Sequence, residues 1–271
     1  MRKSILVGAF IALATTGAAQ AQDWSGPYVG AHAGYGFGSE NDGETIGFDT
    51  NLDGTANDTV RTSAGANAFS PGFCGGAAFG SLPAGGCDDD ENGFEFGARA
   101  GYDWQFGRLV VGALLEASRT DVEDSVSAFS TTPAFYTMTR DLRWLAALRV
   151  RAGLTLDDRT LLYGTGGVAQ GEVRHSFNTN NTANTFVLSD DDEASGWQLG
   201  GGVERKVTPD VTLGLEYLYT SLQDDGFTVR ARGPAAATNP FIITNANGTD
   251  FRRSEEDFEL HQVRVTAAYR F

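Results

Sequence analysis

Three histidines, His32, His175 and His261, are the side chains of this chain best suited to move a proton near neutral pH. A hydrolase would set one of them beside a serine and an acid. His175-Ser176 is the only adjacent His-Ser pair, and the three histidines lie far apart in the sequence. No Ser–His–acid constellation is readable, so catalysis is not expected. The segment DTNLDG begins like a calcium loop, with Asp49, Asn51 and Asp53 at alternate positions and Gly54 at the sharp turn. Position twelve is Val60 rather than the bidentate Glu such a loop needs, which leaves a weak metal candidate. Cys74 and Cys87 bound CGGAAFGSLPAGGC with no neighbouring His or further Cys to complete a zinc set. A pair this close in an exported chain reads as a disulfide. No cofactor motif is present, and none is expected.

The remaining chemistry is ionic. Glu95, Arg99, Asp103, Glu116, Arg143, Arg149, Arg151, Glu172, Glu204, Glu216, Arg264 and Arg270 stand among apolar residues, and six are acids and six arginines. Their spacing is that of strands. In VRVTAAYRF, Val263, Val265, Ala267, Tyr269 and Phe271 share one parity, and Arg264, Thr266 and Arg270 the other. RDLRWLAALRVRAGLTL places Leu142, Trp144, Ala146, Leu148, Val150, Ala152 and Leu154 opposite Arg143, Arg149, Arg151 and Thr155. DVTLGLEYLYT, GFEFGARAGYDWQ and RLVVGALLEAS repeat the pattern. Three weaker segments complete the set. PYVGAHAGYGF has Val29, Ala31, Ala33, Tyr35 and Phe37 outward. TLLYGTGGVAQGEVR has Leu161, Tyr163, Ala169 and Val173 outward, and GWQLGGGVERKV has Trp197, Leu199 and Val203 outward. Eight strands result, or ten if the first long connection adds a hairpin.

Connections alternate in length. Phe106–Arg108, Asp157–Arg159 and Thr208–Asp210 are tight turns of turn-favouring residues, whereas about 40–92, 120–139, 177–194 and 222–256 are long. Aromatics gather at strand ends: Trp104, Tyr269 and Phe271 toward the short turns, Phe94, Trp144, Trp197 and Tyr219 toward the long connections. A soluble sandwich would alternate too, but its polar face would not be Gly, Thr, Arg and Glu, and it would carry no paired aromatic girdles. Short turns at one end, long loops at the other and two girdles predict an all-β, antiparallel up-and-down barrel that spans a membrane. Closure is compulsory, because an open edge would leave unpaired backbone groups in hydrocarbon.

The N-terminus fits export. Arg2 and Lys3 precede the apolar run Ile5–Ala14, which is too short for a spanning helix, and Ala19-Gln20-Ala21 reads as a cleavage site. Removing residues 1–21 leaves 18 basic against 35 acidic residues, a formal charge of −17. That charge argues against nucleic acid as a partner. The surplus sits in the first three long connections: Glu40, Asp42, Glu44, Asp49, Asp53, Asp58, Asp88–Asp90 and Glu91 against Arg61, then Asp121, Glu123 and Asp124, then Asp190–Asp192 and Glu193. Such runs are solvated faces that repel other anions. Divalent cations beside lipopolysaccharide phosphates are the functional alternative.

WSGPYVGAHAGYGFG, LRVRAGLTLDDRTLLYGTGGVAQGEV, SGWQLGGGVERKVTPDVTLGLEYLYTSL and HQVRVTAAYRF resemble the small outer-membrane β-barrel proteins of alphaproteobacteria, the porin-family or opacity-like surface proteins. The resemblance covers the leader, the strands and the C-terminus. It implies an eight-stranded barrel in the outer membrane, with periplasmic termini, extracellular long loops, and Tyr269 and Phe271 in the signal read by the barrel-assembly machinery. Outer-membrane lipids and lipopolysaccharide are the other implied partners of a monomeric chain. Pro27 replaces a more usual aromatic, and the long first loop with its cysteine pair is atypical, so loop-borne functions do not carry over. Eight strands enclose a space that side chains fill. The inward charges therefore suit an ion-pair plug in an envelope-stabilising surface protein. A gated small-solute channel and a loop-mediated adhesin or receptor stay open as alternatives.

Overall fold

The computed structural model describes residues 23–38 and 43–271. The expected leader, Glu40 and Asp42 lie outside the described residues. In chain order the strands are β1 (Gly26–Gly38), β2 (Ile46–Asp49), β3 (Gly72–Gly75), β4 (Ala77–Ala78), β5 (Cys87–Asp88), β6 (Gly93–Phe106), β7 (Leu109–Ser130) and β8 (Ala134–Thr155). They continue as β9 (Thr160–Thr179), β10 (Thr185–Ser189), β11 (Glu193–Lys206), β12 (Val211–Gln223), β13 (Thr228–Arg232), β14 (Thr249–Arg253) and β15 (Asp257–Arg270).

Eight of them close a ring, β1-β6-β7-β8-β9-β11-β12-β15, with every pairing antiparallel. The first and last ring strands seal it, with Tyr28 opposite Arg270 and Phe37 opposite His261. Every spanning strand thus finds backbone partners on both edges, as hydrocarbon demands. The ring has eight strands and not ten. In the first connection β2 joins a separate sheet, β3 runs along the upper part of β7, and β4 pairs with β5. Cys74 and Cys87 form a disulfide across that connection, with a Cα–Cα distance of 6.5 Å.

Outward side chains form a continuous apolar band that includes Leu115, Leu148, Val150, Val168, Leu199, Leu215 and Val265, all exposed in the isolated chain. Aromatic pairs edge it at both ends. Tyr102 meets Trp104 (ring centroids 4.7 Å) and Tyr269 meets Phe271 (5.1 Å) beside the short turns; Tyr35 meets Phe94 (5.4 Å) and Trp197 meets Tyr219 (5.3 Å) at the far end.

Beyond the far girdle the chemistry of the two faces exchanges. Inward positions become apolar: Val122, Leu142, Val173, Leu222, Phe258 and Leu260 are buried together. Outward positions there are polar, among them Asp121, Arg143, Arg174 and Glu259. The cause is the medium. Outside the band water replaces lipid, so the apolar side chains turn inward to find a core. The connection 120–139 is accordingly not an open loop: β7 and β8 continue through it as one hairpin, turning only at Thr131–Pro133. Over its end lies a four-stranded sheet, β10-β13-β14-β2. Its core is aromatic, with Phe48 stacked on Phe69 at 4.3 Å and Tyr136, Phe241 and Phe251 packed around them.

Candidate functional site: the filled lumen

The lumen is built in layers from inward residues of the ring. At the short-turn end the fully buried Trp24 enters it. Its backbone N–H donates to Gln105 Oε1 at 2.7 Å, its backbone carbonyl accepts from Arg270, and Lys206 Nζ lies 5.0 Å from its ring centre. Asp103 is next. It accepts from Arg151 Nε at 2.8 Å and Nη2 at 2.5 Å and is paired with Arg270. Arg151 also donates to Glu204 Oε1 at 2.8 Å, as does Arg99 at 3.0 Å.

Arg264 is the hub of the middle layer. It donates to Glu216 Oε2 (2.8 Å), Glu95 Oε1 (2.9 Å) and Glu116 Oε1 (2.7 Å). Arg149 donates to Glu116 Oε2 at 2.8 Å, and the Tyr163 hydroxyl donates to Glu216 Oε1 at 2.8 Å. Gln262 donates to Glu95 Oε2 at 2.6 Å. Glycines on the ring strands make the room: a Cβ at Gly112 would stand 2.0 Å from Asp103 Oδ1, and one at Gly97 2.6 Å from His32 Cε1.

Of the twelve charges read from the sequence, the structure brings Glu95, Arg99, Asp103, Glu116, Arg149, Arg151, Glu204, Glu216, Arg264 and Arg270 into this network, all buried. Two do not belong. Arg143 lies outside, its side chain 43% exposed and paired with Asp141 at 2.6 Å. The register shifts there, between Leu142 and Trp144, so Arg143 is the extra residue that turns Leu142 inward while Trp144 stays outward. Glu172 also faces out, accepting from Trp144 Nε1 at 2.7 Å and Arg174 Nε at 2.9 Å. On its strand the alternation runs opposite to expectation. Leu161, Tyr163, Ala169 and Val173 are buried in the lumen, and Leu162 and Val168 face out. One arginine and one glutamate leave together, so five carboxylates and five guanidinium groups remain.

Sequence reasoning missed several contributors: Trp24, Lys206 and Gln262 above, and also His32, Tyr28 and Tyr163. His32 Nε2 lies 3.3 Å from Glu95 Oε1. Tyr28 and Tyr163 have Arg151 over their rings at 4.8 and 5.1 Å. A further polar layer lies beyond the apolar one. Arg253 donates through Nε to Glu44 Oε1 (2.6 Å) and through Nη2 to Asp124 Oδ1 (2.7 Å), and Arg140 is also paired with Asp124. Burial opposes ionisation of Asp124, but Arg253 and Arg140 hold its carboxyl below the usual range. Burial pushes the neighbouring Asp90 carboxyl up to about 6. Strand alternation signals none of these long-range partners.

The other candidate residues sit apart. Asp49, Asn51 and Asp53 share one turn, where Asp49 accepts from the backbone N–H groups of Leu52 (2.6 Å) and Gly54 (2.7 Å) and Asn51 donates to Asp53 (3.0 Å). Asp49 is therefore already engaged by its own loop. Tyr269 and Phe271 face outward at the short-turn end. Among the described residues, two groups join a histidine to carboxylates at close range: His32 with Glu95 and Glu116, and His175 with Asp190 and Asp192.

A closed eight-stranded ring with an apolar girdled exterior and a charged interior defines a transmembrane β-barrel. The chain belongs to the family described as outer membrane protein beta-barrel domain, whose family model matches residues 6–271. It is 32% identical to the 31 kDa outer-membrane immunogenic protein of Brucella melitensis over 189 residues, which covers 69% of this chain and 70% of that one. It is 31% identical to the 22 kDa outer membrane protein of Rhizobium leguminosarum bv. viciae over 157 residues, 57% of this chain and 65% of that one. Among solved structures, the outer membrane protease OmpT of Escherichia coli aligns at a TM-score of 0.41 and 10% identity, over 91% of this chain and 97% of that one. The attachment invasion locus protein Ail of Yersinia pestis aligns at 0.34 and 10%, over 91% and 99%. The protein is an outer-membrane β-barrel.

Proposed function

We propose that this barrel is a non-conducting, non-catalytic structural protein of the outer membrane that presents its acidic long connections at the cell surface. One observation carries the reading: the lumen is filled from end to end. Trp24 stops the short-turn end, the network around Arg264 fills the middle, an apolar layer follows, and the aromatic core and its sheet cover the rest. A solute crossing this path would have to separate several buried ion pairs, and leaving one partner of such a pair uncompensated costs roughly 3–5 kcal/mol. The Brucella relative's name, an immunogenic protein, favours surface display as the second part of the reading. Lipopolysaccharide beside the polar outer rim and the assembly machinery at Tyr269 and Phe271 are its proposed partners. Planar bilayers test it. The purified barrel is expected to give no stepwise conductance, and unitary current steps that depend on added protein would replace this reading with the small-solute channel.

A further inference from the structure

Just beyond the far girdle, His175 on β9 is held in a way that the filled lumen does not require. Its side chain is wholly buried. The Phe227 ring stacks on it, with centroids 4.6 Å apart and planes 13° from parallel. Nε2 lies 2.9 and 3.0 Å from the two oxygens of Asp224, whose side chain is 3% exposed. Asp224 thus fixes the ring orientation by accepting the Nε2–H hydrogen bond, which turns Nδ1 toward the acidic segment. Nδ1 points at the segment before β11, with Asp190 Oδ1 at 2.6 Å. Asp192 is pinned beside it by a backbone hydrogen bond in which Val173 N donates to Asp192 O at 2.9 Å. One donor atom from each of His175, Asp190 and Asp192 lies within 4.8 Å of the others.

We infer that His175 Nδ1, Asp190 and Asp192 form a zinc-binding site at the rim of the barrel, with Asp224 as the carboxylate that orients the histidine. Two features select the metal. An imidazole with two carboxylates suits a borderline ion such as Zn²⁺ and offers too few oxygens for calcium. A buried carboxylate on the far nitrogen is the usual outer partner of a metal-bound histidine. Ligand atoms around a tetrahedral zinc stand about 3.4 Å apart, from bonds of about 2.1 Å. Asp190 must therefore withdraw slightly from Nδ1, and its partly exposed side chain leaves space for that. The three protein ligands leave a fourth position open to water.

The test uses the full mature barrel, refolded in detergent and checked by its heat-modifiable gel mobility. Equilibrium dialysis against Zn²⁺ with metal analysis is expected to give one ion per chain, and Co²⁺ in its place is expected to show the visible absorption of a tetrahedral site. His175→Ala should abolish the stoichiometric ion. Asp224→Asn keeps every ligand and should weaken binding 10–100-fold. Asp192→Asn, at an exposed side chain, tests the site without touching the core and should weaken zinc binding too. Folded parent protein that retains no stoichiometric zinc would overturn the site. So would a His175→Ala variant that binds zinc like the parent, or equal loss of zinc when His261, on the outer face, is replaced by Ala.

Discussion

Arg264 lies at the centre of three carboxylates, Glu95, Glu116 and Glu216, with its own side chain fully buried. Replacing it by leucine leaves those acids facing one another with one fewer cation. Arg264→Leu is expected to lose roughly 3–5 kcal/mol in urea unfolding of the reconstituted barrel. Arg143→Ala, at a residue of similar sequence context but on the outside, should change stability by less than about 0.5 kcal/mol. Equal losses from the two would mean that the buried network is not what holds the barrel. This pair of residues also marks the limit of sequence reading. Alternation identified Arg264, Arg149 and Glu216 as inward, because the pairing runs without a shift through each of these positions. It misplaced Arg143, because a single extra residue in β8 shifts the count, and it misplaced Glu172, because Leu161 and Leu162 offer apolar side chains to both faces. Apolar content alone does not say which face is lipid when the lumen itself accepts Leu161 and Tyr163 beside Trp24.

At the scale of elements, the ring strands and tight turns were legible because hydrocarbon imposes a period of two and forbids gaps in the pairing. The elements beyond the girdle were not. There the alternation relaxes, both faces of β7 from Ser125 to Ser130 are buried, and short strands pair across long stretches of chain. The first connection packs against β7 partly through Asp90, which accepts from Ser125 N at 2.8 Å. Asp124, Glu44 and Arg253 are the charged groups that face it. Burial raises the Asp90 carboxyl from its ordinary value to about 6, so the neutral form is favoured in the folded connection. The stabilisation is complete below the ordinary carboxyl range and is lost as pH rises through about 6. Glu44, also raised by burial, acts in the same direction, whereas Asp124 is held low and titrates below this window. Hydrogen exchange of amides 88–92, corrected for intrinsic rates, should therefore show protection falling from about pH 4 to about pH 7. Asp90→Asn, which keeps an acceptor for Ser125, should flatten that slope. Protection that instead grows with pH would contradict the assignment.

For the molecule as a whole, the barrel and the cap above it are filled by different means. Below the girdle, buried ion pairs occupy a lumen whose outside is lipid. Above it, rings such as Phe48, Phe69 and Phe251 form an ordinary core whose outside is water. Replacing residues 228–253 by a short Gly-Ser linker removes β13, β14 and Arg253 but none of the ring strands. Such a barrel should still show heat-modifiable mobility and still give no current in planar bilayers, because the layers from Trp24 to Arg264 are built on the ring alone. Current steps in that variant would locate the seal in the cap. The cap sheet takes β2 from the first connection, β10 from the third, and β13 and β14 from the fourth, and Glu44 meets Arg253 across 209 positions. β13 and β14 pair within the fourth connection, whereas β2 and β10 reach them from connections that ring strands separate in the chain. The finished cap therefore acts as a clasp: it ties together three connections that the chain itself keeps far apart.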